Sequence, residues 1–252
     1  MPLFNTRAIV LRSVNLSETD KIVTFMTEKF GKIKGVAKSA RKIKSRFGAA
    51  LEPMSYIQLI YFGKENQELF KINHCDIIQS FQSLREDFAK LYTGVYFAEL
   101  FDVLLKEGDH CAALFQFLLD SLVRAQDLDH LETLRRLFEL RLISLLGYAP
   151  KLNHCILCKK NPSPGWIGFS YHRGGIVCES CSGREKTEIK FRPGTLNYLK
   201  KLSIMDVKHA GRLKIPKEAE PEIEMVTHRL VLSHLGREPK SYPFIKQMAA
   251  LG

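Results

Sequence analysis

Two groups of side chains in this 252-residue chain have the types and spacing to do chemistry, and the first is made of cysteines. Cys155-Ile156-Leu157-Cys158 is followed, after 19 residues, by Cys178-Glu179-Ser180-Cys181. A C-x-x-C turn offers two thiolates to one side of an ion, and two such knuckles complete the tetrahedral shell that zinc prefers. A shell closed by four cysteines leaves no open coordination position, so the expected role is structural. A redox C-x-x-C is the competing reading, disfavoured because two pairs occur at knuckle spacing, and ordinary buried thiols are another. His154 and His172 lie close enough to substitute as ligands, but four cysteines suffice and both are read as structural. Cys75 and Cys111 stand alone and are expected to be buried apolar residues.

The second group is cationic. Lys29, Lys32, Lys34, Lys38, Arg41, Lys42, Lys44 and Arg46 fall between residues 29 and 46 with no acid before Glu52, and Phe30 and Phe47 are interleaved with them. A solvated charge run is the bland interpretation. The flanks argue against it, because Ile33 and Val36 precede the densest part and an apolar segment follows from Tyr56 to Phe62. A basic loop mounted on strands suits a phosphate backbone. On this reading Lys32, Lys34, Lys38, Arg41, Lys42, Lys44 and Arg46 contact nucleic-acid phosphates, and Phe30, Phe47 or Tyr56 stack on bases. A core role for Phe47 is at least an equal alternative.

Strands must carry that loop. Ala8 to Val14, Lys21 to Thr27, Lys32 to Lys38, Met54 to Phe62 and Glu68 to Cys75 are rich in β-formers, and GKENQ with Gly63 and Asn66 suits a hairpin turn. Five short strands within residues 1–79 predict a small barrel, with an oligonucleotide-binding (OB) fold as the leading candidate. From about residue 80 the apolar spacing changes to three and four residues, predicting helices over roughly 84–105, 110–126 and 129–146. Glu99 falls within an apolar helix face, where a carboxylate needs partners. The cysteine module, at about 151–190, reads as a glycine-turned hairpin that brings the knuckles together. Beyond it, helices are expected from Arg192 and from about Pro216, the latter stopped by Gly236. The class is therefore α+β: a barrel over 1–79, then a helical domain over 80–252 carrying the four-cysteine segment.

Charge follows the same division. Residues 1–80 hold 13 Lys and Arg against 7 Asp and Glu, residues 81–150 hold 7 against 11, and residues 151–252 hold 18 against 9. Two basic lobes thus flank an acidic middle. The net +11 suits nucleic acid, although charge alone would equally suit an anionic membrane surface. No stretch reaches the roughly 18 uninterrupted apolar residues of a membrane span, and the first residues lack a signal-peptide pattern, so the chain reads as cytoplasmic. The tail cations Lys200, Lys201, Arg229 and Arg237 are read as solvated or as complementing helix dipoles. A metalloprotease-type H-E-x-x-H, carboxylates paired around the cysteines and a P-loop pattern are absent from the sequence, so an enzyme is not expected.

Several segments together resemble one family. SETDKIVTFMT (17–27), FGKIKGVAKSARKIKSRFGAALEPMS (30–55), YFAEL (96–100), FSYHRGGIVCESC (169–181) with its upstream C-x-x-C, and HLGREPKS (234–241) are similar to the bacterial recombination mediator family RecO. The resemblance runs from end to end, in order. It implies an OB fold, a helical bundle and a zinc-finger segment. It also implies binding of single- and double-stranded DNA, annealing of complementary strands, association with RecR and with the C-terminal tail of single-stranded DNA-binding protein, and indirect loading of RecA in the RecF pathway at the bacterial nucleoid. The rival from the residues alone is an RNA-binding or translation-associated OB protein with a structural zinc ribbon.

Overall fold

The computed structural model describes residues 2–64, 68–109, 112–162 and 165–251, with side chains as far as Met248. The turn residue Asn66 and the isolated Cys111 lie outside the described residues. In chain order the strands are β1 (Leu3–Asn15), β2 (Lys21–Thr27), β3 (Gly31–Ala37), β4 (Tyr56–Phe62), β5 (Phe70–Gln79), β6 (Ile167–Ser170), β7 (Gly175–Cys178) and β8 (Ile189–Phe191). The helices are α1 (Gln82–Arg85), α2 (Phe88–Leu104), α3 (Ala112–Asp127), α4 (Glu132–Leu145), α5 (Pro193–Ile204), α6 (Glu220–Leu235) and α7 (Tyr242–Leu251).

The first five strands close on themselves in the order β1-β2-β3-β5-β4. β1 is long because it serves two neighbours. Its first half pairs antiparallel with β4 from Leu3↔Phe62 to Ile9↔Tyr56, and its second half with β2 from Ala8↔Thr27 to Asn15↔Lys21. A register shift between Val10 and Arg12 bends the strand from one partner to the other. β5 closes the sheet by pairing parallel with β3 at Gly35↔Phe70 and Val36↔Lys71. A Cβ on Gly35 would stand 2.7 Å from Ile72 Cγ1, so this seam needs glycine. Val10, Val23, Phe25, Ile57, Leu59 and Ile72 fill the interior.

Two compact units emerge, residues 1–127 with 239–252, and residues 128–238. The packing of the chain thus divides beyond residue 80, where the sequence changes its period. In the first unit α2 packs on β1 and α7 packs on α2. Buried residues between Thr93 and Phe101 cover rather more than half of the circumference of α2, and Asp87 caps its start by accepting the Lys90 N–H at 2.9 Å. Gly94 lets the Met54 sulfur approach, since a Cβ there would lie 2.4 Å from it. Helical periodicity continues through 88–127, but these helices belong to the same packed unit as the barrel. That is why residue 80 marks a change of element and not a boundary of packing.

The second unit is organised on α4, which packs against α5 and α6. Leu134, Leu137, Phe138, Leu140 and Ile143 are buried on it. So is an ion pair: Arg136 donates to both carboxylate oxygens of Glu139 at 2.9 Å, and the Thr227 hydroxyl donates to the same carboxylate. This pairing is what makes a fully buried glutamate tolerable. β7, β6 and β8 form a separate three-stranded sheet in that order. Gly236, at φ +68°, ends α6 as expected of a left-handed cap.

Candidate metal centre and nucleic-acid interface

The cysteine site is assembled by β7 and the loop before β6. Cys178 ends β7, paired with Ile167 on β6, and the loop containing Cys155 is tied to β7 by the Ile156 N–H bonded to the Ile176 carbonyl at 2.9 Å. The first knuckle closes on itself through Lys159 N–H to the Cys155 carbonyl at 3.0 Å, with Lys159 at φ +62°. The outcome is one cluster: the sulfurs of Cys155, Cys158, Cys178 and Cys181 all lie within 4.8 Å of one another. Neither His154 nor His172 belongs to it.

The geometry fits a tetrahedral thiolate site. Four sulfurs about 2.3 Å from a common centre stand about 3.8 Å apart, and Cys158 Sγ lies 3.8 Å from Cys178 Sγ. The electrostatics agree. Burial of the Cys155 sulfur opposes ionisation, but backbone N–H groups of Cys158, Cys178 and Leu157 outweigh it and bring the thiol down to about 6. Cys181 goes the other way, up to about 12, through its neighbour Cys178, burial and the remaining sulfurs. Four thiols this close cannot all ionise unaided, whereas a divalent cation would take them all as thiolates. Cys75, outside the cluster, is a buried thiol whose burial pushes it up to about 12.

The cationic stretch divides sharply. Lys32 is 6% exposed, and its ammonium donates to the main-chain carbonyls of Asp102 and Leu105 and pairs with the Asp102 carboxylate. It is a structural cation, and the phosphate contact expected of it is corrected accordingly. Lys34, two residues on along β3, pairs with Glu107. Lys38, Arg41, Lys42, Lys44 and Arg46 are all exposed, and among the described residues none is in a salt bridge. Two other cations of the barrel are paired, Arg7 with Glu28 and Lys21 with Glu52.

Both ends of that loop are fixed. At the start, the Asp20 carboxylate accepts the Ser39 N–H at 2.8 Å, the Arg41 N–H reaches the Thr19 carbonyl at 3.0 Å, and the Arg41 guanidinium reaches the Ser17 carbonyl at 2.6 Å. Ser39 takes φ +59° to make this turn. At the far end Phe47 is 3% exposed and joins Ala50 and Leu51 in the barrel core. Phe47 is thus an anchor and unavailable for base stacking. Tyr56, 7% exposed on β4, is likewise buried, while the partly buried Phe30 packs edge-on against Phe4 and Tyr61. The stacking roles expected of Phe47 and Tyr56 are corrected by burial, and Phe30 has its ring occupied. Sequence reasoning missed the Ser17–Asp20 clamp, whose signal is the S-x-T-D turn chemistry ahead of β2.

Comparison with known proteins covers the chain in two parts. Residues 1–81 match the family described as recombination protein O N terminal, and residues 85–243 match recombination protein O C terminal. Similar over nearly their full lengths are proteins named DNA repair protein RecO. That of Symbiobacterium thermophilum is 32% identical over 248 residues, 97% of each chain. That of Desulfatibacillum aliphaticivorans is 34% identical over 256 residues, 98% of each chain. That of Clostridium kluyveri is 32% identical over 251 residues, covering 98% of this chain and 95% of the relative. No helix among the described residues is long and apolar enough to cross a membrane. The resemblance carried by the SETDK, ARKIKSRFGAALEP and cysteine segments thus holds along the whole chain, which belongs to the RecO family of DNA repair and recombination proteins.

Proposed function

We propose that this chain acts as a non-enzymatic recombination mediator whose barrel, read as an OB fold, holds single- and double-stranded DNA on the loop from Lys38 to Arg46. The observation that carries this is the set of five exposed cations, Lys38, Arg41, Lys42, Lys44 and Arg46, all on one clamped loop and none in a salt bridge among the described residues. Exposed cations outside any salt bridge remain available to phosphates, and binding of this kind is independent of sequence. Screening two backbones at once lets complementary strands approach, and base pairing then supplies the driving force for annealing. No covalent step is required. Membership in the family supports the wider reading: association with RecR and with the tail of single-stranded DNA-binding protein, so that RecA can load during repair in the RecF pathway.

In the cysteine cluster a zinc ion would be held by Cys155, Cys158, Cys178 and Cys181, where it supplies cross-linking of a loop-rich segment. The chain's own residues set the geometry. β6 and β7 fix the second knuckle, and backbone N–H groups directed at Cys155 favour its thiolate.

A salt series of binding to labelled single-stranded DNA and RNA tests the reading, with wild type beside the variant carrying Arg41→Ala, Lys42→Ala, Lys44→Ala and Arg46→Ala. The expected result is a steep log–log slope that becomes shallower in the variant, with DNA held at least as well as RNA. A slope unchanged by the four substitutions removes the loop from the interface. A clear RNA preference replaces the mediator reading with the RNA-binding one.

A further inference from the structure

Ile43 stands at the middle of the cationic loop and is 105% exposed, the highest value among the large exposed hydrophobic residues of the described chain. Single exposed apolar residues are common and by themselves mean little. This one differs in two respects. First, its backbone is held in a tight turn: the Lys42 carbonyl accepts the Ser45 N–H at 2.9 Å and the Ser39 carbonyl accepts the Lys42 N–H at 3.3 Å, which puts Ile43 at the turn's first corner. Turn corners favour glycine, proline, asparagine, aspartate and serine, so a β-branched apolar residue gains nothing locally there. Second, Lys42 and Lys44 adjoin it, Arg41 and Arg46 lie just beyond, and all four are exposed.

We propose that Ile43 is an apolar wedge, inserted between adjacent bases of duplex DNA that the loop cations hold by its phosphates. The inference rests on the DNA-binding reading above and adds a residue with a separate role, since the cations give affinity and the isoleucine opens a base step. Apolar side chains inserted this way unstack and kink a duplex, at least cost at flexible pyrimidine–purine steps. The loop is suited to deliver such a push because Asp20 and Thr19 brace its start and buried Phe47 braces its end.

The experiment uses the full chain as wild type, Ile43→Ser, Ile43→Leu and the four-alanine cation variant. Each is titrated across a salt series against a duplex carrying 2-aminopurine at a T–A step and a fluorophore pair at its ends. Ile43→Ser is expected to melt with wild type, since it changes only exposed surface. It should bind the duplex roughly tenfold more weakly with an unaltered salt slope, and lose both the 2-aminopurine rise and the end-to-end shortening. Ile43→Leu should restore all three. If Ile43→Ser keeps the affinity, the 2-aminopurine rise and the shortening, the wedge is overturned, and so it is if wild type binds without either optical change. Those results leave the DNA-binding reading standing as long as the cation variant still flattens the slope. If wild type binds no DNA, both fall together. A loss in Ile43→Ser confined to anionic phosphatidylserine vesicles, with duplex binding intact, would assign the residue to a membrane and overturn the proposal.

Discussion

The carboxylate of Glu99 accepts the backbone N–H of Lys240 at 2.7 Å and that of Ser241 at 2.9 Å, together with the Ser241 hydroxyl at 2.6 Å. One side chain in the middle of α2 therefore satisfies the amide groups that open α7, where the helix dipole also favours a negative charge. An acid on an apolar face is accounted for without any catalytic role.

Glu99→Ala should leave those groups without a partner and cost about 1–3 kcal/mol. Urea unfolding would show the loss, and hydrogen exchange would place it at residues 240–245. Equal exchange in both proteins would mean that water replaces the carboxylate at no cost.

Lys32→Ala breaks a buried pair with Asp102 and removes the donor to two main-chain carbonyls, so a loss of about 3 kcal/mol is expected. Its DNA-binding salt slope should match wild type. The four-alanine loop variant should show the reverse pattern: an altered slope and a nearly unaltered melting curve.

Asp20 titrates in a direction that can be followed. The Ser39 N–H and the Thr19 hydroxyl, with smaller help from the charges of Lys38 and Lys42, hold its carboxyl below the ordinary carboxylate value despite some desolvation. A depressed folded value means the carboxylate's stabilisation is present above about pH 4, the unfolded range, and is lost as pH falls through the folded value. Protection of the Ser39 amide should fall on acidification in wild type and be low and pH-independent in Asp20→Asn.

Cys155→Ser or Cys178→Ser should lose bound zinc, measured as metal per chain, and lower the thermal stability of residues 128–238, because ligand binding and local folding are one equilibrium. A strong chelator should do the same to wild type. Zinc retained at full occupancy by either variant would exclude a four-cysteine shell.

Much of this was legible in residue order. The β-formers of β1 to β5, the paired knuckles and the stop at Gly236 are local signals; β2, β3 and β4 fall close to their expected spans, while β1 begins earlier, at Leu3, and β5 runs on to Gln79. What was not legible depends on partners distant in sequence. Lys32 and Lys42 are the same residue type within one basic stretch, yet one is buried against Asp102 and the other is exposed. The acidic surplus of residues 81–150 was the available hint, since Asp102 and Glu107 lie in it and neutralise Lys32 and Lys34. Phe47 and Tyr56 carry aromatic rings like any stacking platform, but Phe47 is buried in the barrel core and Tyr56 is buried against Phe115 of α3. The pairing of α2 with α7 joins residues 141 and 142 positions apart, beyond the reach of any periodicity.

That pairing has a consequence for biosynthesis. Residues 1–127 leave the ribosome well before 239–252, with the whole of 128–238 translated in between. Until then the Glu99 carboxylate has no amides to receive and the face of α2 that α7 covers is bare. The nascent barrel unit thus exposes that face for the duration of the intervening synthesis, and a ribosome that stalls before codon 239 releases a fragment with this seam open.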